Sequence, residues 1–216
     1  MSGKGKEYYN NKLTFEGEYL NGKRNRKGKQ YYNNELIFEG EYLNGEINGK
    51  GKKYENGKLI FEGEYLNGER YGKGNEYKDN KSIFEGKYKN GKRWNGKGKE
   101  YDNNKLIFEG EYLNGKRNRK GKEYKDNKLI FEGEYLKGKR WKGKGKEYNY
   151  DDKLIFEGEY LNGEKWNGKG KKYLYDKLIY ESEIKDGKMI NWKYIWLPLF
   201  DCKYRNGKRI ESKNKK

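Results

Sequence analysis

Glu39 and Glu41 stand two residues apart, a spacing that sets two carboxylates side by side on one face of an extended strand. Such a pair can divide acid and base roles when its surroundings push the two pKa values apart. Here the pair recurs from unit to unit along a periodic chain. A catalytic pair needs one special environment, so repetition in equivalent surroundings points to a solvated strand face laced with salt bridges. Gly91-Lys92-Arg93-Trp94-Asn95-Gly96-Lys97-Gly98 approaches the phosphate-binding loop pattern, and similar stretches begin at Gly138 and Gly163. Gly98 occupies the position where Ser or Thr must hold magnesium, and no helix can follow to aim its N-terminus at phosphate. There is no histidine, which excludes His-based proton relays and His metal ligands. The one cysteine, Cys202, can form neither a thiolate metal cluster nor an internal disulfide. A chain without catalysis and without a cofactor is expected.

Basic residues are the remaining polar signal. Lys23, Arg24, Arg26 and Lys27 form one cluster, and Lys116, Arg117, Arg119 and Lys120 repeat it. Lys92, Arg93, Lys139 and Arg140 occupy matching positions. Each group follows a turn-like Asn-Gly or Lys-Gly and is expected in a loop. Loops aligned on one edge would make a positive ladder, and each Lys or Arg beside anionic lipid contributes about 1 kcal/mol. Net charge is +18, which attracts anionic membrane, nucleic acid or acidic protein. The lack of Ala, Val and His beside abundant Lys, Asn, Tyr and Ile also fits an AT-rich coding sequence, which raises lysine without any partner. Single-stranded nucleic acid ranks third, because acidic residues interleaved on every strand oppose a phosphate track.

The elements that place these residues are repeats. A Phe-Glu-Gly start falls at Phe15, Phe38, Phe61, Phe84, Phe108, Phe131 and Phe156, with a worn copy at Tyr180. The steps are 23, 23, 23, 24, 23, 25 and 24 residues, a period that signals a stacked array. Charged residues reach 40%, which favours disorder, but aromatics reach 17% and recur in register. Leu36, Phe38, Gly40 and Tyr42 alternate with Ile37, Glu39, Glu41 and Leu43, the period-two mark of a strand. Asn44-Gly45 reverses the chain, a loop passes through Asn48 to Gly51, a second strand follows at Lys52-Lys53-Tyr54, and Asn56-Gly57 turns into the next unit. Frequent glycine, at about 1 kcal/mol each in a helix interior, and the absence of a 3.6-residue period argue against helix. The expected fold is all-β: an elongated array of about eight antiparallel two-stranded hairpins forming a twisted single-layer sheet. Glycines such as Gly40 and Gly63 are expected to leave slots for rings from the neighbouring strand. The ring-bearing face, with Phe38, Tyr42, Phe61, Tyr65, Phe84, Tyr88, Phe108, Tyr112, Phe131 and Tyr135, is the expected surface for a protein partner.

The array is assigned to residues 1–188. Residues 189–209 hold the most apolar stretch, with Trp192, Trp196 and Pro198, and are expected to form an irregular cap. Residues 210–216 are expected to be a disordered basic tail. Residues 1–6 lack the apolar core of a signal peptide and no run approaches a membrane span, so a cytoplasmic setting is expected, at a membrane periphery or the cytoskeleton if the basic ladder is used. Strand edges at the array ends favour self-association.

Phe61-x-Gly63-x-Tyr65-x-x-Gly68-x-x-x-Gly72-x-Gly74 resembles the MORN (membrane occupation and recognition nexus) repeat. The likeness spans about residues 3 to 188 in seven tandem copies. The Lys-Glu-Tyr and Asn-Lys-Leu-Ile-Phe-Glu-Gly portions resemble a related variant in bacterial antitoxin-like proteins. Departures are Phe and Tyr where the family commonly has Tyr and Trp, Arg26 and Arg119 in place of the fourth glycine, Ser182 in place of the first, and an extra residue in three copies. The resemblance implies an array of hairpins with no catalysis of its own, serving as a scaffold, a dimerising element or a tether to membrane.

Overall fold

A computed structural model describes residues 1–174, 176–195, 200–205 and 208–214, with side chains described through residue 195. Among the described residues there is no helix. The strands in chain order are β1 (Ser2–Tyr9), β2 (Lys12–Leu20), β3 (Lys23–Tyr32), β4 (Glu35–Leu43), β5 (Glu46–Glu55), β6 (Lys58–Leu66) and β7 (Glu69–Lys78). They continue through β8 (Lys81–Lys89), β9 (Lys92–Asp102), β10 (Lys105–Leu113), β11 (Lys116–Lys125), β12 (Lys128–Leu136) and β13 (Lys139–Tyr148). The last are β14 (Leu154–Leu161), β15 (Glu164–Leu174), β16 (Lys177–Lys185), β17 (Lys188–Tyr194), β18 (Phe200–Arg205) and β19 (Lys208–Asn214).

The chain divides into two compact units, Met1–Lys99 with Glu111–Lys116, and Glu100–Gly110 with Arg117–Lys216. In each, strand follows strand in an open antiparallel sheet. The reason is local. Pairs such as Asn21-Gly22 (φ 48 and 76) and Asn67-Gly68 (φ 50 and 79) put two successive residues in the left-handed region, which makes a tight turn whose twist matches that of the flanking strands. At the other strand ends Asn33-Asn34 and Asp79-Asn80 do the same without glycine, since Asn and Asp tolerate this region best among residues with a side chain. In the first unit the turn glycines are tied to the preceding repeat, Gly45 N–H donating to Arg24 C=O at 2.8 Å and Gly68 N–H to Ile47 C=O at 2.8 Å.

The loop expected between Asn48 and Gly51 is strand. β5 runs unbroken from Glu46 to Glu55, and β-bulges in the pairing of β4 with β5 and of β5 with β6 absorb the extra residues. Bulges keep the chain in the sheet while adding a residue to one strand. Arg26 (φ 57) and Arg119 (φ 56) hold the left-handed conformation that Gly49 (φ 107) and Gly72 (φ 62) hold in other copies.

The phenylalanines fill the core. Phe15, Phe61 and Phe108 have no exposed surface, and their tyrosine neighbours are nearly as buried. In the first unit, edge-to-face contacts pass from repeat to repeat: Phe15 to Tyr42 at 5.1 Å, Phe38 to Tyr65 at 5.3 Å, Phe61 to Tyr88 at 5.0 Å and Phe84 to Tyr112 at 5.8 Å. In the second, Phe108 meets Tyr135 at 5.2 Å and Phe131 meets Tyr160 at 5.6 Å. Such pairs are worth about 0.5–1.5 kcal/mol beyond their buried area. The rings therefore bind the repeats together. This corrects the expectation that Phe38, Tyr42, Phe61, Tyr65, Phe84, Tyr88, Phe108, Tyr112, Phe131 and Tyr135 face a partner, because they are already packed against one another.

Strand pairing also continues beyond the expected end of the array. β17 pairs with β16, with Ser182 opposite Trp192, and β18 pairs with β17 and β19. So residues 188–194 extend the sheet instead of forming an irregular cap, and most of the expected disordered tail is strand. Residues 196–199, with Trp196 and Pro198, and residues 206, 207, 215 and 216 lie outside the described residues.

Candidate binding groove

The two faces of each strand carry different chemistry. On the ring-bearing face Glu7 sits opposite Phe15, and Arg24 sits opposite Tyr19. Tyr19 donates to Glu7 Oε1 at 2.6 Å, and the Arg24 guanidinium donates to both carboxylate oxygens while stacking on the Phe15 ring at 4.2 Å. The hydrogen bond from Arg24 holds the Glu7 carboxyl below the usual carboxylate range. The arrangement recurs as Glu76 with Tyr88 and Arg93, and as Glu147 with Tyr160 and Lys165. Arg117 and Arg140 both reach Glu123 and lie over Phe108 and Phe131.

Arg24, Arg93, Arg117 and Arg140 were expected in basic loops. They lie in β3, β9, β11 and β13, half-buried as lids on the rings and bound to carboxylates. Lys23, Arg26, Lys27, Lys92, Lys116, Arg119, Lys120 and Lys139 are likewise strand residues, and these remain exposed. The loop assignment fails because the bulges let the whole segment stay paired.

These clamps could have been read from the sequence. Glu7 and Arg24 are 17 residues apart, as are Glu76 and Arg93. Where the acid is Gln30, the matching residue is Ile47, and where it is Lys172, it is Met189. Acid and base are lost together, the mark of a pair that must balance. The exception is Lys53 with Arg70, and there Arg70 turns to Glu76 at 3.6 Å instead. Without an acid beside them, the Tyr42 and Tyr65 hydroxyls are buried with no partner. The Tyr135 hydroxyl is buried without a partner too, although Glu123 is present and accepts from Arg117 and Arg140.

Two predictions arise here. Gln30→Glu with Ile47→Arg should complete the clamp around Tyr42 and raise unfolding free energy by about 1–2 kcal/mol, since an orphaned buried hydroxyl gains a charged acceptor. Each single change should give less than half of that, so a double-mutant cycle in urea must show favourable coupling; additive effects would refute the pairing. The second concerns alkali. Burial pushes the Tyr42 and Tyr65 phenols from 10.0 up to about 12. A group whose folded pKa is raised gives its full stabilisation below the unfolded pKa and loses it as pH rises toward the folded one. Stability should therefore fall between pH 10 and about 12, and the last rise in tyrosinate absorbance should coincide with the loss of circular dichroism. Tyrosinate absorbance that is complete before unfolding would contradict burial of these phenols.

The opposite face is polar. In the first unit a groove of about 1570 Å³ runs across the strands. Its floor is an unbroken row of glycines in register, Gly5, Gly17, Gly28, Gly40, Gly51, Gly63, Gly74, Gly86 and Gly96. Seven of the nine glycines lie between two charged residues of their strand, as Gly40 between Glu39 and Glu41, and Gly51 between Lys50 and Lys52, while Asn75 flanks Gly74 and Asn95 flanks Gly96 on one side. The walls are thus two rows of alternating charge, with Lys27 opposite Glu41, Lys29 opposite Glu39 and Lys52 opposite Glu62. Tyrosines steady the acids: Tyr31 donates to Glu16 at 2.7 Å, Tyr54 to Glu39 at 2.7 Å and Tyr77 to Glu62 at 3.0 Å. On the other face, where an alanine side chain would project from Gly17, the space holds the Phe15 ring and the Gly28 backbone. The slot expected there for a neighbouring strand's ring is filled mainly by the same strand's phenylalanine. The groove was missed because its glutamates were read as a salt-bridged strand face and Lys27 as a loop cation, and its continuity appears only with the register.

Among the described residues no group of His, Cys, Asp or Glu is placed to hold a metal ion, and no helix is long and apolar enough to cross a membrane. No family model matches the chain, and no curated protein matches it either.

Proposed function

We propose that this chain is a non-enzymatic repeat scaffold that binds a protein partner as an extended segment along the glycine-floored groove. The observation that carries this is the groove itself, continuous over nine strands of the first unit and bordered by ordered charge. Strands lie about 4.8 Å apart, so nine glycines span roughly 38 Å, enough for about eleven extended residues at ~3.4 Å each. The charged residues flanking a glycine are two positions apart on a strand, roughly 7 Å. That suits an extended chain better than a helix about 10 Å across. Repetition of the site in equivalent copies favours binding over chemistry, and the MORN-like spacing supports a scaffold. Peripheral association with anionic membrane is the second reading, supported by exposed Lys23, Lys27, Lys92 and Lys139.

Photo-crosslinking residues placed at Lys50 or Lys52 in the groove, and at Lys53 on the ring-bearing side, separate these readings. Specific polypeptide adducts from the groove positions, competed by unlabelled protein and scarce from Lys53, are expected. Equal labelling from both faces would refute the groove as the site. Flotation on anionic vesicles that salt abolishes, with no groove adduct, would transfer the function to the membrane.

A further inference from the structure

One place in the groove breaks its own rule. In the row that passes Lys27, Lys50 and Lys73, each lysine meets a carboxylate across the strands: Lys4 faces Glu18, Lys27 faces Glu41, and Lys50 faces Glu64. The second unit does the same, with Lys120 facing Glu134 and Lys144 facing Glu159. Lys73, however, faces Lys87. Like charges directly opposite each other in a sheet are destabilising. Both side chains are exposed, and among the described residues neither ammonium group has an ion-pair partner.

The next residue across explains what is missing. Lys87 lies opposite Asn95. The corresponding pairs in the second unit are Glu159 with Asn167 and Glu183 with Asn191. There the asparagine Nδ2 donates to the glutamate, at 3.1 Å for Asn167 and 2.7 Å for Asn191. Asn167 is held by its Oδ1, which accepts from Asp186 N–H at 3.1 Å. Asn95 is held in the same way, its Oδ1 accepting from Asn114 N–H at 2.8 Å. With its Oδ1 held in this way, Asn95 has its Nδ2 left to donate, and the residue opposite it, a glutamate in the other two pairs, is Lys87.

We infer that Lys73, Lys87 and Asn95 form an anion subsite that takes an acidic side chain of the groove-bound polypeptide. Two lysines and an asparagine amide are neighbours in register where the protein's other copies carry their own glutamate. A partner's Asp or Glu would restore the broken alternation and relieve the repulsion. The subsite lies toward one end of the groove, so it would also fix the direction and register of the bound segment. This rests on the groove reading, but it can be tested without any partner.

The test uses the full chain and two small probes, glutarate and inorganic phosphate, with chloride as the background anion. Saturable NMR shifts at the Asn95 side-chain amide and at the Lys73 and Lys87 backbone amides are expected with glutarate. Lys87→Glu supplies the missing carboxylate in cis. It should weaken glutarate binding at least about tenfold and at the same time raise the urea midpoint, a gain that simple loss of a binding residue would not give. Lys87→Gln should fall between the two in both readouts. Shifts spread evenly over all groove lysines, phosphate binding without glutarate binding, or a Lys87→Glu chain no more stable than the wild type would each overturn the inference. Failure here would leave the groove crosslinking result standing, and absence of groove crosslinks would leave the anion titration to be judged alone.

Discussion

Replacing Gly63 by alanine should lower the unfolding free energy by about 3 kcal/mol or more, as overpacking against atoms that cannot yield does. A Cβ at Gly63 would stand 2.6 Å from the Gly74 Cα and 2.6 Å from the Lys73 carbonyl oxygen, with the Phe61 ring at 2.8 Å. Two of these three atoms belong to the backbone of the paired strand. Relief requires β6 and β7 to separate, which breaks the ladder and moves Phe61 off its seat. Gly68→Ala is the control. Gly68 lies in the turn at φ 79 with nothing within 4 Å of a built Cβ, so it should cost only the left-handed penalty, ~1–2 kcal/mol. Urea denaturation of both variants decides the matter, and a Gly63 variant no weaker than the Gly68 one would mean that the strands do not approach this closely.

Phe61→Ala should cost about 3–5 kcal/mol, the range for removing a fully buried phenylalanine. Phe61 has no exposed surface and touches Tyr65 at 5.4 Å and Tyr88 at 5.0 Å edge to face, under the Arg70 guanidinium at 4.4 Å. Because Tyr88 belongs to the next repeat, the loss should appear in hydrogen exchange on both sides of the substitution. Phe61→Leu keeps much of the volume and gives up the ring contacts, so it should recover more than half of the loss. If the alanine variant loses protection in β6 alone, the ring contacts between repeats contribute little.

Much of this fold was open to reading. The period of Phe15, Phe38 and Phe61 identified the repeat, and alternation along Leu36 to Leu43 gave the strand. Asn44-Gly45 gave a turn, and both residues adopt positive φ. Where the reading failed, the cause was pairing across strands. Arg24 looked like a loop cation because Arg26 and Lys27 follow it, whereas a bulge keeps the segment in β3 and brings Arg24 over Phe15. The rings looked presented because one strand face was considered alone; the next repeat's tyrosine covers each phenylalanine from Phe15 to Phe131. Nothing in the repeat spacing singles out Lys87; the register does, by setting it opposite Lys73 and Asn95.

The contact from Phe15 to Tyr42, repeated from Phe38 to Tyr65, joins copy to successor through the same two residue types as far as Phe131 and Tyr160. Every junction thus accepts any neighbour of the same kind. A gene for such a chain can gain or lose whole copies by unequal recombination between its near-identical segments, and the product still finds a matching surface at the seam. Gain or loss of half a copy would set a phenylalanine-bearing strand beside another of its own type, so that two rings would compete for a pair of glycines of the kind that Phe15 now shares with no other phenylalanine, Gly17 and Gly28. Length is therefore free to drift in whole-copy steps, while residues that differ between copies, such as Lys87, are the ones such exchange would erase or multiply.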